Sequence, residues 1–216
     1  MLQQSFNFIS SPSYLAQDFI STPSNQLAFD KISNWPNNRS NNLYPFFLLI
    51  YGQKGCGKTH LANIWRQKTS ASIILSHQSL VAQDTASHIV IEDINNDNWS
   101  QQDLLHMFNF CHEAKIYCLF TSSIFPAQFA LKDLESRINS IDAVKITPPD
   151  LDTIKILLRM EFSKKSLEVQ QKNIDFLAQI LPRNFDCAIN AVSTLNDESL
   201  KTMQPISYSM IKKIFL

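Results

Sequence analysis

Lys58 and Thr59 end the run Gly52-Gln53-Lys54-Gly55-Cys56-Gly57-Lys58-Thr59. It fits G-x-x-x-x-G-K-[ST], a loop whose main-chain N–H groups turn inward on a polyphosphate. In that chemistry the Lys58 ammonium reaches the β- and γ-phosphates, and the Thr59 hydroxyl ligates Mg²⁺. All three glycines of the chain lie in this loop, where backbone must wrap an anion. A second constellation is Glu92-Asp93, two acids at the end of an apolar run. A phosphate-binding loop needs a carboxylate on a neighbouring strand to hold the water shell of Mg²⁺. Glu92 falls at that position, and Asp93 where a water-polarising base belongs. Ser122 and Ser123 close another apolar run. Such a strand end can set a polar group between the two halves of the site, near the γ-phosphate, although hydroxyls there are commonly turn formers.

These side chains need elements to position them. The continuous apolar run at 45–51 reads as a buried parallel strand. Residues 58–67 read as a helix with Leu61, Ile64 and Trp65 on one face, its N-terminus aimed at the phosphates. Apolar runs recur at 72–76, 88–92, 117–121 and 143–146, with a helix at 101–114 whose Leu104, Leu105, Phe108 and Cys111 share a face. Alternating strands and helices predict a parallel sheet covered on both faces, an α/β P-loop core. Beyond Pro148-Pro149 only helical patterns remain, at about 150–164, 168–180, 184–195 and 207–215, with Asp150 as an N-cap for the first. The expected organisation is a tail at 1–10, a core at 11–149 that includes a helix near 25–33, and a small all-helical lid at 150–216.

At 216 residues the chain can build one sizeable core with a small appendage. Lys plus Arg and Asp plus Glu each total 19. This balance argues against a dedicated DNA-binding domain, though a local basic patch fits it. Cys56, Cys111, Cys118 and Cys187 have neither C-x-x-C spacing nor a disulfide-like pattern and read as reduced, mostly buried thiols. His106 and His112 lack a metal-ligand pattern. With no signal peptide and no run long enough to span a bilayer, a cytoplasmic protein is expected.

The motifs resemble those of the DnaA branch of AAA+ ATPases over nearly the whole chain. Ser24-Asn25-Gln26-Leu27-Ala28 resembles that branch's first helix, and Tyr51 through Leu61, including His60, its Walker A segment. The segment 89–93 is similar to Walker B and 119–123 to sensor 1, while 131–137 resembles the arginine-finger box. Pro148-Pro149-Asp150-Leu151-Asp152 is similar to the start of the lid, Arg183 falls on the sensor 2 arginine, and 206–216 resembles the lid's closing helix. The resemblance implies ADP or ATP with Mg²⁺, bound through Gly52, Gln53, Lys54, Gly55, Cys56, Gly57, Lys58, Thr59, His60 and Arg183.

Within the branch, the form without a helix-turn-helix segment or a helicase-contacting N-terminal domain is similar to the Hda-type regulatory inactivators. These promote hydrolysis of DnaA-bound ATP while held on the DNA-loaded sliding clamp. Gln3, Phe6 and Phe8 match the glutamine and spaced hydrophobics of their clamp-binding motif. Extended, that segment would present both rings to an apolar groove, with Gln3 at its rim; alternatively the phenylalanines pack on the parent domain. The resemblance implies that Arg137 acts in trans as an arginine finger, with DnaA and the clamp as partners, DNA reached through the clamp, and a monomer or homodimer. Glu92 departs from the usual aspartate, which sets the protein's own hydrolysis in doubt. The alternatives are a DnaC-like helicase loader and a self-contained AAA+ ATPase. For Arg137 by itself, the plain alternative is a surface ion pair with Asp133 or Glu135.

Overall fold

A computed structural model describes residues 19–37, 42–75, 87–96 and 98–216. Gln3, Phe6 and Phe8, and with them the tail at 1–10, lie outside the described residues.

Among the described residues, five parallel strands form one sheet in the order β2-β3-β4-β1-β5. They are β1 (Phe47–Tyr51), β2 (Ser72–Ile73), β3 (His88–Ile91), β4 (Tyr117–Ser122) and β5 (Asp142–Lys145). Parallel strands need crossovers: α2 (Lys58–Thr69) lies between β1 and β2, α3 (Gln101–Glu113) between β3 and β4, and α4 (Lys132–Ser140) between β4 and β5, while α1 (Gln26–Asn34) precedes β1. Side chains alternate across a strand, so each central strand feeds both faces. Phe47 and Leu49 of β1, Ile89 and Ile91 of β3, and Cys118 and Phe120 of β4 pack with α3 and α4. Leu48 and Ile50, Val90, and Leu119 pack with α1 and α2 on the other face. This explains why the central strands are continuous apolar runs.

Aromatic rings fill both layers. Phe108 of α3 lies flat on Phe47, with ring centroids 4.2 Å apart, and Tyr44 meets Phe108 edge-on at 4.9 Å. Opposite, the Trp65 ring of α2 stacks on Trp35 at 4.8 Å.

The C-terminal helices α5 (Leu151–Lys164), α6 (Gln171–Ile180), α7 (Phe185–Thr202) and α8 (Tyr208–Phe215) bury a separate cluster. Three of them start on side-chain caps: Asp150 accepts the Thr153 N–H, Asn184 the Cys187 N–H and Ser207 the Met210 N–H. Each satisfies one of the orphan donors at a helix start.

Most sequence boundaries hold to within a few residues. Helix α7 runs seven residues beyond the expected end at 195, because no breaker intervenes before Met203 takes the left-handed conformation that stops it. Helix α6 begins at Gln171 rather than 168. Arg137, at the end of the segment 131–137, lies inside α4, in its last turn.

Candidate functional site

In an open parallel sheet, ligands gather at the carboxyl ends of the strands. Here β1, β3 and β4 deliver the loop 52–57, Glu92-Asp93 and Thr121 to that edge. They line a cavity of about 270 Å³ with Lys54, Gly55, Gly57, Lys58, Thr59, His60, Glu92, Asp93 and Thr121 on one side. Phe19, Ile20 and Asn25 form a second wall, and Leu157, Phe185, Asp186 and Ile189 of the C-terminal helices form a third. A larger, shallow hollow of about 930 Å³ beside Arg159 and Glu168 has none of this chemistry.

The loop is built as its composition demands. Gly57 caps α2 with φ +103°, a conformation that side chains rarely adopt. Helix α2 therefore starts with uncapped N–H groups directed at the cavity, a natural anion seat. The Lys58 ammonium donates to the carbonyls of Gly52 (2.8 Å) and Gln53 (3.0 Å), which hold its charge at the loop. Burial raises the Cys56 thiol above its ordinary value despite the opposing pull of Lys58. Cys56 is therefore a protonated packing group and no nucleophile.

The two halves of the site touch. The Thr59 hydroxyl donates to Glu92 Oε2 at 2.7 Å, and the Asp93 N–H donates to the Thr121 hydroxyl at 2.8 Å. Asp93 has φ +54°, a left-handed conformation that aspartate tolerates better than most residues. Among the described residues no group of three or more His, Cys, Asp or Glu could hold a metal ion by itself. The hydroxyl of Thr59 and the carboxylate of Glu92 are nevertheless hard oxygen donors that fit Mg²⁺, which keeps most of its waters and leans on one or two protein ligands plus phosphate oxygens. Thr59 and Glu92 would hold it there, where it would neutralise developing phosphoryl charge.

The remaining expected residues divide. Ser122 and Ser123 do not line the cavity; the Ser122 hydroxyl bonds Asn95 and the Ile124 carbonyl instead. Thr121, one residue earlier, is the hydroxyl that faces the site. Arg183 is exposed and is not among the lining residues; its charge helps hold the Asp150 carboxyl low, behind the larger effect of the Thr153 hydrogen bonds. Arg137 is also outside the cavity. Its Nε donates to Asp133 at 2.9 Å, a hydrogen bond that raises the guanidinium further, and its Cζ lies 5.9 Å from the centre of the Phe108 ring. Sequence reasoning missed the walls made by Phe19, Ile20, Leu157 and Ile189, because apolar residues so far apart in the chain carry no local signal.

The comparisons agree with this geometry. Residues 11–74 match the family model described as the bacterial DnaA ATPase domain. The crystal structure of domain III of the replication initiation protein DnaA from Thermotoga maritima superposes with a TM-score of 0.74 at 20% identity, covering 93% of this chain and 95% of that one. AMPPCP-bound DnaA from Aquifex aeolicus gives 0.67 at 20% identity over 88% of this chain and 67% of that one. The RuvB Holliday junction branch migration motor of Thermotoga maritima gives 0.61 at 15% identity over 77% and 60%. The structural likenesses, at 20% identity or less, show the AAA+ P-loop fold, and residues 11–74, under a third of the chain, are similar in sequence to the bacterial DnaA ATPase domain.

Proposed function

We propose that this protein binds ADP or ATP with Mg²⁺ at the 52–59 loop and acts in the control of replication initiation, as an Hda-type regulator that promotes hydrolysis of ATP bound to DnaA. The observation that carries the nucleotide reading is the Thr59–Glu92 hydrogen bond, which joins the loop and the acidic strand end at one edge of one cavity. An adenine nucleotide agrees with the AMPPCP bound by the DnaA of Aquifex aeolicus.

Residues 150–216 act as a lid over the core at 11–149, in keeping with their separate apolar cluster and their contribution of one cavity wall. Arg137 is the finger offered in trans. Support comes from its position outside its own chain's cavity and from the weakness of its ties, an ion pair with the exposed Asp133 and a contact with the Phe108 ring. Arg183 senses the nucleotide as the lid closes. Gln3, Phe6 and Phe8 anchor the protein, in the cytoplasm, to the sliding clamp, and DNA is reached through that clamp. No described helix is long and apolar enough to cross a membrane.

The test is ATP hydrolysis by purified DnaA, with and without this protein and DNA-loaded clamp. Stimulation that needs both additions is expected. Steady turnover by the isolated protein, without effect on DnaA, would favour a self-contained ATPase.

A further inference from the structure

The start of α7 grips the phosphate-binding loop at Lys54 and Gly55. Asn184 uses both ends of its amide: Oδ1 accepts the Cys187 N–H at 3.0 Å, capping its own helix, while Nδ2 donates to the Lys54 carbonyl at 2.7 Å. One residue on, the Phe185 N–H donates to the Gly55 carbonyl at 2.9 Å. The fit is tight. A Cβ on Gly55 would stand 2.2 Å from the Asn184 amide, and the φ of +74° at Gly55 disfavours any side chain there.

A trans peptide fixes its N–H opposite its C=O. Holding the carbonyls of Lys54 and Gly55 therefore sets two peptide planes of the loop: one carries the N–H of Gly55, which lines the cavity, and the other the Cys56 N–H, which closes a turn onto the Gln53 carbonyl at 3.3 Å. The same contact seats Phe185 and Asp186, which line the cavity. Loop and wall are thus tied together by the Asn184 side chain and the Phe185 N–H.

We infer that Asn184 is a positioning residue for this site, a latch that holds α7 on the loop and slows the release of a bound nucleoside polyphosphate; the inference rests on the nucleotide reading above. Opening the wall for release requires the Asn184 and Phe185 hydrogen bonds to break. Removing one hydrogen bond of ordinary strength corresponds to about a fivefold change in rate.

The experiment is stopped-flow release of methylanthraniloyl-ADP, chased with unlabelled ADP, from wild type, Asn184→Asp and Asn184→Ser. Both variants keep an oxygen that caps α7; aspartate lacks the N–H donor and serine is too short to reach Lys54. Release about fivefold or more faster in both, with melting temperatures within about 3 °C of wild type, is the expected result. Release at the wild-type rate overturns the latch, as does a large loss of melting temperature in both variants, which would make Asn184 a structural cap. Lys58→Ala separates the two readings. If wild type binds the probe and Lys58→Ala does not, the nucleotide site stands whatever Asn184 does. If wild type fails to bind it, site and latch fall together.

Discussion

Replacing Arg137 by alanine separates a finger from a surface ion pair, because the two roles differ in size by a large factor. Within its own chain Arg137 holds Asp133 in an i, i+4 pair whose side chains are 28% and 53% exposed. Exposed pairs of this kind contribute about 0.3–0.5 kcal/mol. Its position above the Phe108 ring adds about 0.5–1 kcal/mol. The intramolecular ties therefore total about 1 kcal/mol, small enough to be exchanged for a stronger anion on a neighbour. Their loss should lower the melting temperature by no more than about 4 °C for a domain of this size. A finger that contributes a thousandfold to phosphoryl transfer, the lower end known in GTPases, supplies about 4 kcal/mol to the transition state. The assay is hydrolysis of DnaA-bound ATP in the presence of DNA-loaded clamp. Arg137→Ala is expected to stay folded, to keep its own nucleotide and to lose the stimulation. Arg137→Lys should recover little, because an ammonium lacks the planar fork that spans phosphoryl oxygens. Full stimulation by the alanine variant would refute the finger and return Arg137 to the role of a surface ion pair.

Lys58→Ala should weaken ADP or ATP binding about a thousandfold with the fold intact, since one charge at about 4 Å from a phosphate near a protein surface is worth about 4 kcal/mol; titration calorimetry measures it, and unchanged affinity would remove the phosphate-loop assignment. Alanine at Gln3, Phe6 and Phe8 together should abolish clamp binding in a pull-down and leave nucleotide affinity and melting temperature nearly unchanged, whereas early melting would mean that the two rings belong to the core. The Thr153 hydrogen bonds hold the Asp150 carboxyl below its ordinary range. Its cap therefore stabilises α5 in full above about pH 4, and the contribution is lost as pH falls through the depressed folded value. Asp150→Asn, which still caps, should flatten that acid limb in denaturant melts recorded from pH 5 to 2; an unchanged limb would remove the assignment.

The loop 52–59 was legible because its signal is local. Strand, glycines, Lys58-Thr59 and helix follow one another without a gap, and each is dictated by the backbone geometry of the next. Glu92 was legible for a similar reason, as the polar end of a strand whose apolar residues must be buried. The sheet with helices on both faces followed from the alternation of runs, and the cap at Asp150 from a polar residue placed just before a helical period.

Register across the sheet was settled only in three dimensions. Successive side chains of a strand point to opposite faces, so one residue decides whether Thr121 or Ser122 meets the cavity. Both are polar, and nothing local ranks them. Pairing of β4 with β1, which sets Ser122 beside Tyr51, leaves Thr121 to receive the Asp93 N–H while Ser122 turns to Asn95. The cavity walls were invisible for a related reason. Phe19 and Ile20 precede the loop, Leu157 and Ile189 follow it by about a hundred residues or more, and as sequence they are ordinary apolar residues of separate elements. Asn184 is the clearest case. As sequence it was the first residue of an expected helix; its hydrogen bond to Lys54 spans 130 residues and exists only because α7 folds back onto the loop. The sequence by itself determined which segments form the glycine loop and the acidic strand end, since that depends on neighbours along the chain. Tertiary packing decided which side chains close the site, since that depends on neighbours in space.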